Sequence, residues 1–346
     1  AALAVVDAAL ARVGGARLDY QFLLAGAGYY RERGVDVAPG AEAAADAADA
    51  IFLGAIGLPD VRHADGTEIS PHLRIRDRLN LYAGVRPVKA YPNAPQRLSD
   101  PRASSIDLVI LRESTEGLFY SAAVHGRSET IGDEEVRDTL RITRDTTEKL
   151  HDFAFALARK RRRRGGRGLV TCVDKANVFR SMAFFRRIFR ERARKYPDIE
   201  TGFNYVDAQA LDLVRQPWAF DVLVMENMFG DILSDLAGGL VGGMGMAACA
   251  EIGDAHGLFQ PAHGSAPDIT GQDRANPLAA VLSGALMLDY LSGRSGVAAF
   301  EDASRLVDEA VLRGFTEGRI RPREFGGDQG TRALTRELIA LIREAR

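Results

Sequence analysis

Apolar positions along this chain follow two periods in alternation. Residues 1 to 10 (AALAVVDAAL) repeat at helical spacing, Leu18 to Leu24 reads as a strand, and Ala41 to Ala50 reads as a helix. Ile51 to Gly57 is a short buried strand ending in a glycine turn, and beyond the Asp65-Gly66 loop comes a helix carrying Arg74, Arg76 and Arg78. Ile106 to Arg112 is an apolar strand that delivers Arg112-Glu113-Ser114-Thr115-Glu116-Gly117 at its carboxyl end. A long helix is predicted from about Asp133 to Arg164, stopped by Gly165-Gly166. Leu169 to Val173 is a strand presenting Asp174-Lys175-Ala176-Asn177, followed by a basic helix from Phe179 to Lys195. Phe220 to Met225 is a buried strand that leads into a helix holding Asp231 and Asp235, and Gly238 to Gly245 bends the chain back. This alternation predicts α/β layers. With no repeat or low-complexity linker to divide it, a second domain is expected to be inserted within the first.

The helix at residues 1 to 10 has no cap or strand ahead of it, which predicts a strand and turn preceding Ala1. A chain of 346 residues with 46% hydrophobic content can bury a large core and holds two domains or one elaborate one. The net charge of −2 supplies no field that would draw the molecule to nucleic acid or to a membrane, so any anion site must be a local cluster of arginines. Neither partner is expected. No apolar run approaches the ~20 residues of a membrane span. Cys172 and Cys249 have no metal or redox spacing, which favours a reducing, cytoplasmic setting.

Asp231 and Asp235 share one helical face just past a strand's carboxyl end, where open α/β sheets keep their ligands. Mg²⁺ or Mn²⁺ takes oxygen ligands and commonly one or two carboxylates, so the pair is a candidate cation site; acids at a helix start also suit the helix dipole. Arg76, Arg86 and Arg112 have the spacing to converge on a polycarboxylate. Beside them, Lys175 after a strand and Asp207 in Tyr205-Val206-Asp207-Ala208-Gln209 suggest a site that clamps a dianionic acid on a cation, with a lysine as base. Gly26-Ala27-Gly28 and Gly243-Met244-Gly245 both fail as dinucleotide fingerprints. The run Arg159-Lys160-Arg161-Arg162-Arg163-Arg164 reads as a solvated helix end rather than a nucleic-acid contact, since no aromatics interleave with it. His63, His72, His125, His151, His256 and His263 show no ligand spacing.

Five collinear segments carry a family resemblance: Leu73 to Pro87, Arg112 to Gly117, Val173 to Val178, Glu226 to Asp235, and His263-Gly264-Ser265-Ala266-Pro267-Asp268-Ile269. Together they resemble the β-decarboxylating dehydrogenases, the isocitrate and 3-isopropylmalate dehydrogenase family that also holds tartrate/D-malate and homoisocitrate enzymes. The resemblance implies a two-domain α/β fold with a mixed sheet that is not a Rossmann fold. It places residues 1–84 and 241–346 in a discontinuous cofactor domain and 85–240 in an inserted substrate and dimerisation domain. It implies that Arg76, Arg86 and Arg112 hold substrate carboxylates with Asn177 nearby, and that His72 and Leu73 face the substituent on C3. Asp231 and Asp235, with Asp207 from a partner subunit, would hold Mg²⁺ or Mn²⁺. Lys175, also from the partner, would be the base, so the active unit would be a homodimer with shared sites. The adenosine loop would run from His263, through Gly264, Ser265, Ala266 and Asp268, to Asn276. Asp268 would stand against the ribose hydroxyls and favour NAD over NADP. The expected reaction is oxidation, with decarboxylation, of a 2-hydroxy dicarboxylic acid: 3-isopropylmalate, tartrate or D-malate.

One position departs from the family. Its catalytic tyrosine, seven residues past Arg112, is Phe119 here, with Tyr120 next to it. Neighbours on a strand face opposite ways, so on strand geometry Tyr120 does not replace the missing hydroxyl without a register shift. That substitution keeps open a second role, a non-catalytic regulatory subunit of a hetero-oligomeric dehydrogenase.

Overall fold

A computed structural model describes residues 1–121 and 128–345. Its centre is an eight-stranded mixed sheet. In chain order the strands are β1 (Ile51–Phe52), β2 (Ala83–Lys89), β3 (Asp107–Glu113), a small separate hairpin β4 (Glu129–Ile131) and β5 (Glu135–Arg137), then β6 (Leu169–Asp174), β7 (Glu200–Tyr205), β8 (Val222–Met225), β9 (Ala248–Ile252) and β10 (Gly257–Pro261). Across the large sheet the order is β1-β10-β9-β2-β3-β8-β6-β7. Strands β3, β8, β6 and β7 run parallel, while β2 and β9 run antiparallel to their neighbours. The sheet is therefore mixed, as expected, and it contains no dinucleotide fingerprint turn.

Alternation along the strands sorts the core onto two faces. Val109 and Leu111 of β3 join a large cluster with Val170, Val224 and Ala250. It is covered by α1 (Ala2–Val13), α5 (Arg144–Arg163), α6 (Arg180–Ala193), α9 (Leu278–Ser295), α10 (Ala298–Thr316) and α11 (Thr331–Glu344). Leu108 and Ile110 face the other way, with Val173 and Leu223, against α7 (Val206–Arg215) and α8 (Asn227–Leu240). Helix α4 (Pro71–Arg78) packs Ile75 on Leu258 at the β1 end of the sheet. Short helices α2 (Ala27–Arg33) and α3 (Ala41–Ala47) complete that edge.

Three segments differ from the pattern-based expectation. Leu18 to Leu24 joins no strand, and among the described residues only its end finds a backbone partner: Leu24 O accepts from Ala38 N at 2.9 Å, and Phe22 is left 79% exposed. An apolar run without an adjacent strand has no ladder to join. The predicted long helix starts at Arg144 rather than Asp133, because Gly132 adopts φ +55° and turns Glu129–Ile131 back onto Glu135–Arg137. The buried strand expected over Ile51 to Gly57 is two residues long; Gly57 turns at φ +107°. His125 lies outside the described residues.

The basic run at the end of α5 is spent on internal pairs. Arg159 meets Asp198, Lys160 holds Asp289 at 2.7 Å, and Arg161 reaches both Asp221 at 2.5 Å and Asp107 at 3.0 Å. The run closes the helix as expected, but Arg159, Lys160, Arg161 and Arg164 are held by acids rather than left to solvent. No helix among the described residues is long and apolar enough to cross a membrane.

His151 sits where α5 packs on α6, fully buried, its ring 4.5 Å from that of Phe185 and 5.2 Å from that of Phe189. Neither ring nitrogen has a hydrogen-bond partner among the described residues, and burial, reinforced by the charge of Arg192, pushes the imidazole down to about 3. The unfolded chain takes up this proton near pH 6.5 while the fold refuses it until about pH 3, so stability declines as pH falls through that window. The slope is ~1.4 kcal/mol per pH unit, about 2 kcal/mol between pH 6.5 and 5. His72 shifts in the same direction, so the informative quantity is the difference between wild type and His151→Phe. Urea unfolding at pH 7 and 5 should show that the variant loses less stability on acidification than the wild type. Parallel losses would mean that His151 is not the titrating group.

Candidate active site

Parallel strands β3, β8, β6 and β7 all end on the same edge of the sheet, and each delivers a polar side chain there. Arg112 comes from the last turn of β3, Glu226 and Asn227 follow β8, Lys175 follows β6, and Asp207 opens α7 directly after β7. The antiparallel strands bring their own groups to this edge: Gly84 of β2 lies opposite Arg112 on one side and Glu251 of β9 on the other.

Arg76 of α4, Arg86 of β2 and Arg112 of β3 are each at least 92% buried and gather around Glu251, which is fully buried. Arg76 Nη1 and Arg86 Nη2 both stand 3.6 Å from Glu251 Oε1. Burial works against the charge on Glu251, but Arg76, Arg86 and Arg112 more than offset it and hold the carboxyl below its usual range. Three guanidinium groups against the Glu251 carboxylate, and Asp231 on the outer side of Arg112, leave a net positive cluster, the electrostatic signature of a polyanion site. Arg76 Nη2 donates to Ser114 O at 2.7 Å, which fixes that fork, while Arg76 Nε and Arg86 Nε have no protein partner.

Close backbone approach makes this packing possible. A Cβ at Gly84 would come within 2.7 Å of Ser114 Oγ and 3.0 Å of Glu251 Oε2, so a glycine here leaves room for the residue after β3 and the β9 carboxylate to approach across β2. A Cβ at Gly230 would lie 2.6 Å from Arg112 Cβ, so α8 can press against the arginine only where it has no side chain. Helix α8 is capped by the Glu226 carboxylate, which accepts from Phe229 N at 3.3 Å. Asn227 Oδ1 accepts from Arg112 Nε at 2.8 Å and its amide donates to Glu116 O at 2.9 Å, tying the helix start to the turn after β3. That turn is closed by Glu113, whose carboxylate accepts from Thr115 N and Oγ1 and from Glu116 N, each at 2.7 Å.

Asp231 pairs with Arg112 Nη1, and Asp235 follows one turn later. Burial raises the Asp235 carboxyl and the neighbouring charge of Asp231 raises it further. Asp235 makes no ion pair or hydrogen bond among the described residues. Two carboxylates whose charges oppose each other, one without a protein partner, form an all-oxygen donor set that fits Mg²⁺ or Mn²⁺. Among the described residues no group of three or more His, Cys, Asp or Glu is placed to hold a metal within one chain. Asp207 accordingly lies apart from this pair and binds Lys175 Nζ at 2.5 Å. Asp174 positions that lysine: its buried carboxylate takes a bidentate pair from Arg186 at 2.7 and 2.8 Å and the Ala176 N–H at 2.8 Å. Asn177, two residues on, is exposed.

His72 and Leu73 occupy the first turn of α4 on the approach to Arg76. Burial and the charge of Arg76 push the His72 imidazole down to about 4, so it stands neutral beside the arginines. Phe119 and Tyr120 do not lie on a strand: β3 ends at Glu113, and residues 119–121 form a helical turn, so the opposite-facing argument does not apply. The Phe119 ring lies 4.9 Å from the Arg112 guanidinium carbon, whereas Tyr120 stacks under Arg141 at 3.9 Å. Phe119 is the one beside the arginine cluster.

The loop after β10 carries the remaining candidates. His263 Nδ1 lies 2.9 Å from Gly264 O, Ser265 Oγ donates to Gly57 O, and Ala266 takes a left-handed φ of +46°. Ser265 thereby closes a pocket of about 260 Å³ walled by Gly26 to Gly28 and Gly54 to Gly57, where small residues leave backbone accessible to a ligand. Asp268 is exposed in the turn Pro267–Ile269. Asn276 is committed structurally: Oδ1 accepts from Leu278 N at 3.1 Å at the start of α9, and the amide donates to Glu324 at 2.9 Å. Glu251 and Asn227 were not anticipated. A lone acid inside the apolar run 248–252 was the available signal for Glu251; Asn227 had none.

The class of this protein, a dehydrogenase, follows from its likeness to known proteins. A family model described as isocitrate/isopropylmalate dehydrogenase matches residues 1–342, and the chain belongs to that family. It is 38% identical over 344 residues to the 3-isopropylmalate/3-methylmalate dehydrogenase of Methanocaldococcus jannaschii, covering 98% of this chain and 95% of the relative. Identity is 42% over 280 residues with the 3-isopropylmalate dehydrogenase of Heyndrickxia coagulans, covering 79% and 74% of the two chains. The crystal structure of isocitrate dehydrogenase from Methylococcus capsulatus superposes with a TM-score of 0.82 at 34% identity, covering 99% of this chain and 96% of that one.

Proposed function

We propose that this chain oxidises and decarboxylates a 2-hydroxy dicarboxylic acid of the 3-isopropylmalate, tartrate or D-malate type, using NAD and Mg²⁺ or Mn²⁺. The observation that carries the reading is the convergence of Arg76, Arg86 and Arg112 on the edge where α8 presents Asp231 and Asp235. Residues 1–84 and 241–346 would form the cofactor domain and 85–240 the inserted substrate domain. When bound, the nicotinamide supplies the hydride acceptor and the cation supplies Lewis-acid charge at the 2-oxygen.

The chain's own groups do the rest. The three guanidinium groups fix the carboxylates by paired N–H donors, which orients C2. Lys175, oriented by Asp207, would take the 2-hydroxyl proton as the neutral amine. His72 and Leu73 offer a mixed polar and apolar wall to the C3 substituent, which suits small or polar groups as well as isopropyl. Asp268 favours NAD, since a carboxylate repels a 2′-phosphate. The retained arginines, Lys175 and aspartates argue against a subunit without chemistry of its own. The test is a panel of 3-isopropylmalate, D-malate, tartrate, isocitrate and homoisocitrate with NAD or NADP and Mn²⁺. One hydroxy acid should be turned over preferentially with NAD, and activity should vanish with EDTA. EDTA-resistant turnover, or a preference for NADP, contradicts the reading.

The separation of Lys175 and Asp207 from Asp231 and Asp235 supports a site completed by a second copy of the chain. Exposed apolar side chains flank these residues: Val178 and Phe179, Leu211 and Val214 of α7, and Ile232 of α8, all more than 45% exposed. That surface matches a homodimer interface. Lys175→Ala and Asp231→Asn, each inactive alone, should regain partial activity in isolated heterodimers, because one of the two sites then carries both intact residues. Heterodimers that remain inactive rule out the shared site.

A further inference from the structure

A second cavity, of about 240 Å³, lies on the opposite face of the sheet. Val85, Pro87 and Lys89 of β2 line it, and by strand alternation Arg86 points the other way, into the arginine cluster. Lys89 pairs in register with Asp107, five residues along β3 from Arg112, about 17 Å at ~3.4 Å per residue. The cavity is therefore separate from the site described above.

Its floor is apolar, made by Val85, Val109, Met246, Leu282 and Leu286, and its rim is charged. Most of the rim is already neutralised. Lys160 and Arg164 both hold Asp289, Arg164 also reaches Glu301, and Arg161 is taken by Asp107 and Asp221. Two opposite charges are left over. Lys89 makes no ion pair among the described residues and only rests over the Tyr91 ring, 5.6 Å from its centroid; Asp308 likewise has no ion pair or hydrogen bond among them. Burial raises the Asp308 carboxyl to about 6, the nearby charge of Lys89 offsets this only in part, and the two side chains do not meet in an ion pair.

A ligand that satisfies both must carry a carboxylate for Lys89 and an ammonium for Asp308, with an aliphatic group for the floor. At ~30 Å³ per water the space equals about eight water molecules, the size of a small metabolite. We propose that this cavity binds a small aliphatic α-amino acid as its zwitterion. The site is independent of the catalytic reading and would stand if that reading failed.

Calorimetric titration of the full chain with L-leucine, 4-methylpentanoate and 3-methylbutylamine tests this. Leucine should bind, and the two half-matched analogues should bind at least about tenfold more weakly, since each leaves one charge unanswered. Lys89→Gln and Asp308→Asn should each weaken leucine about tenfold while turnover of the hydroxy acid stays unchanged, which shows that the variants are folded. Asp231→Asn should bind leucine as the wild type does. No leucine binding at about 10 mM, equal affinity for the amine or the acid alone, or full binding by either cavity variant overturns the proposal.

Discussion

Glu251→Gln is expected to lower the stability of the protein by ~3–5 kcal/mol, the range seen when one partner of a buried ion pair is removed. Glutamine keeps the volume and removes only the charge. Arg76 and Arg86, both within 3.6 Å of the Glu251 carboxylate, and Arg112 beside them would then be three buried cations facing one another without a counter-ion on their own side. Asp231 compensates only in part, because its contact is with Arg112 and it reaches Arg86 only at longer range. Urea unfolding should show a lower midpoint with an unchanged slope, since the surface exposed on unfolding is the same. A dianionic substrate would supply the missing charge, so 3-isopropylmalate or the preferred acid from the panel should raise the variant's melting temperature more than the wild type's. A loss below ~1 kcal/mol would mean that the arginines repel each other less than their burial implies and that Glu251 does not organise them.

That carboxylate shows where pattern reading stops. Arg76, Arg86 and Arg112 were legible because their spacing around strands is a one-dimensional signal, and the acid pair was legible because positions four apart share a helix face. The parallel strands β3, β6 and β8 were legible as apolar runs, since strands buried on both faces carry continuous hydrophobic residues. Glu251 acts through arginines 139 and more residues away along the chain (251 − 112 = 139), and no local period announces such a pairing. The second half of the hairpin, residues 133–137, was read as the start of the helix because its residues are mostly charged and wholly exposed, so no buried face imposed a period on them. Leu18 to Leu24 erred in the opposite direction: its residues suit a strand, but strand formation needs a neighbour, which is a property of the fold rather than of the segment.

The turn after β3 leads to the largest expected gain of function. Phe119 lies against Arg112, and a phenyl ring has no proton to give. In the proposed reaction, loss of CO₂ leaves an enolate that must be protonated, and a positioned acid is typically worth about 10²–10⁴ in rate. Phe119→Tyr should therefore raise turnover of the preferred hydroxy acid by a factor in that range and alter the alkaline side of the pH profile, where a phenol ionises. Tyr120→Phe is the matched control. Its ring stacks under Arg141, a contact that phenylalanine preserves, and the helical turn at 119–121 sets the two side chains roughly a quarter-turn or more apart rather than on opposite faces of a strand. Tyr120→Phe should change turnover little. An inactive Tyr120→Phe with an unimproved Phe119→Tyr would assign the acid to Tyr120, and the ring beside Arg112 would then serve only to wall off the arginine from water.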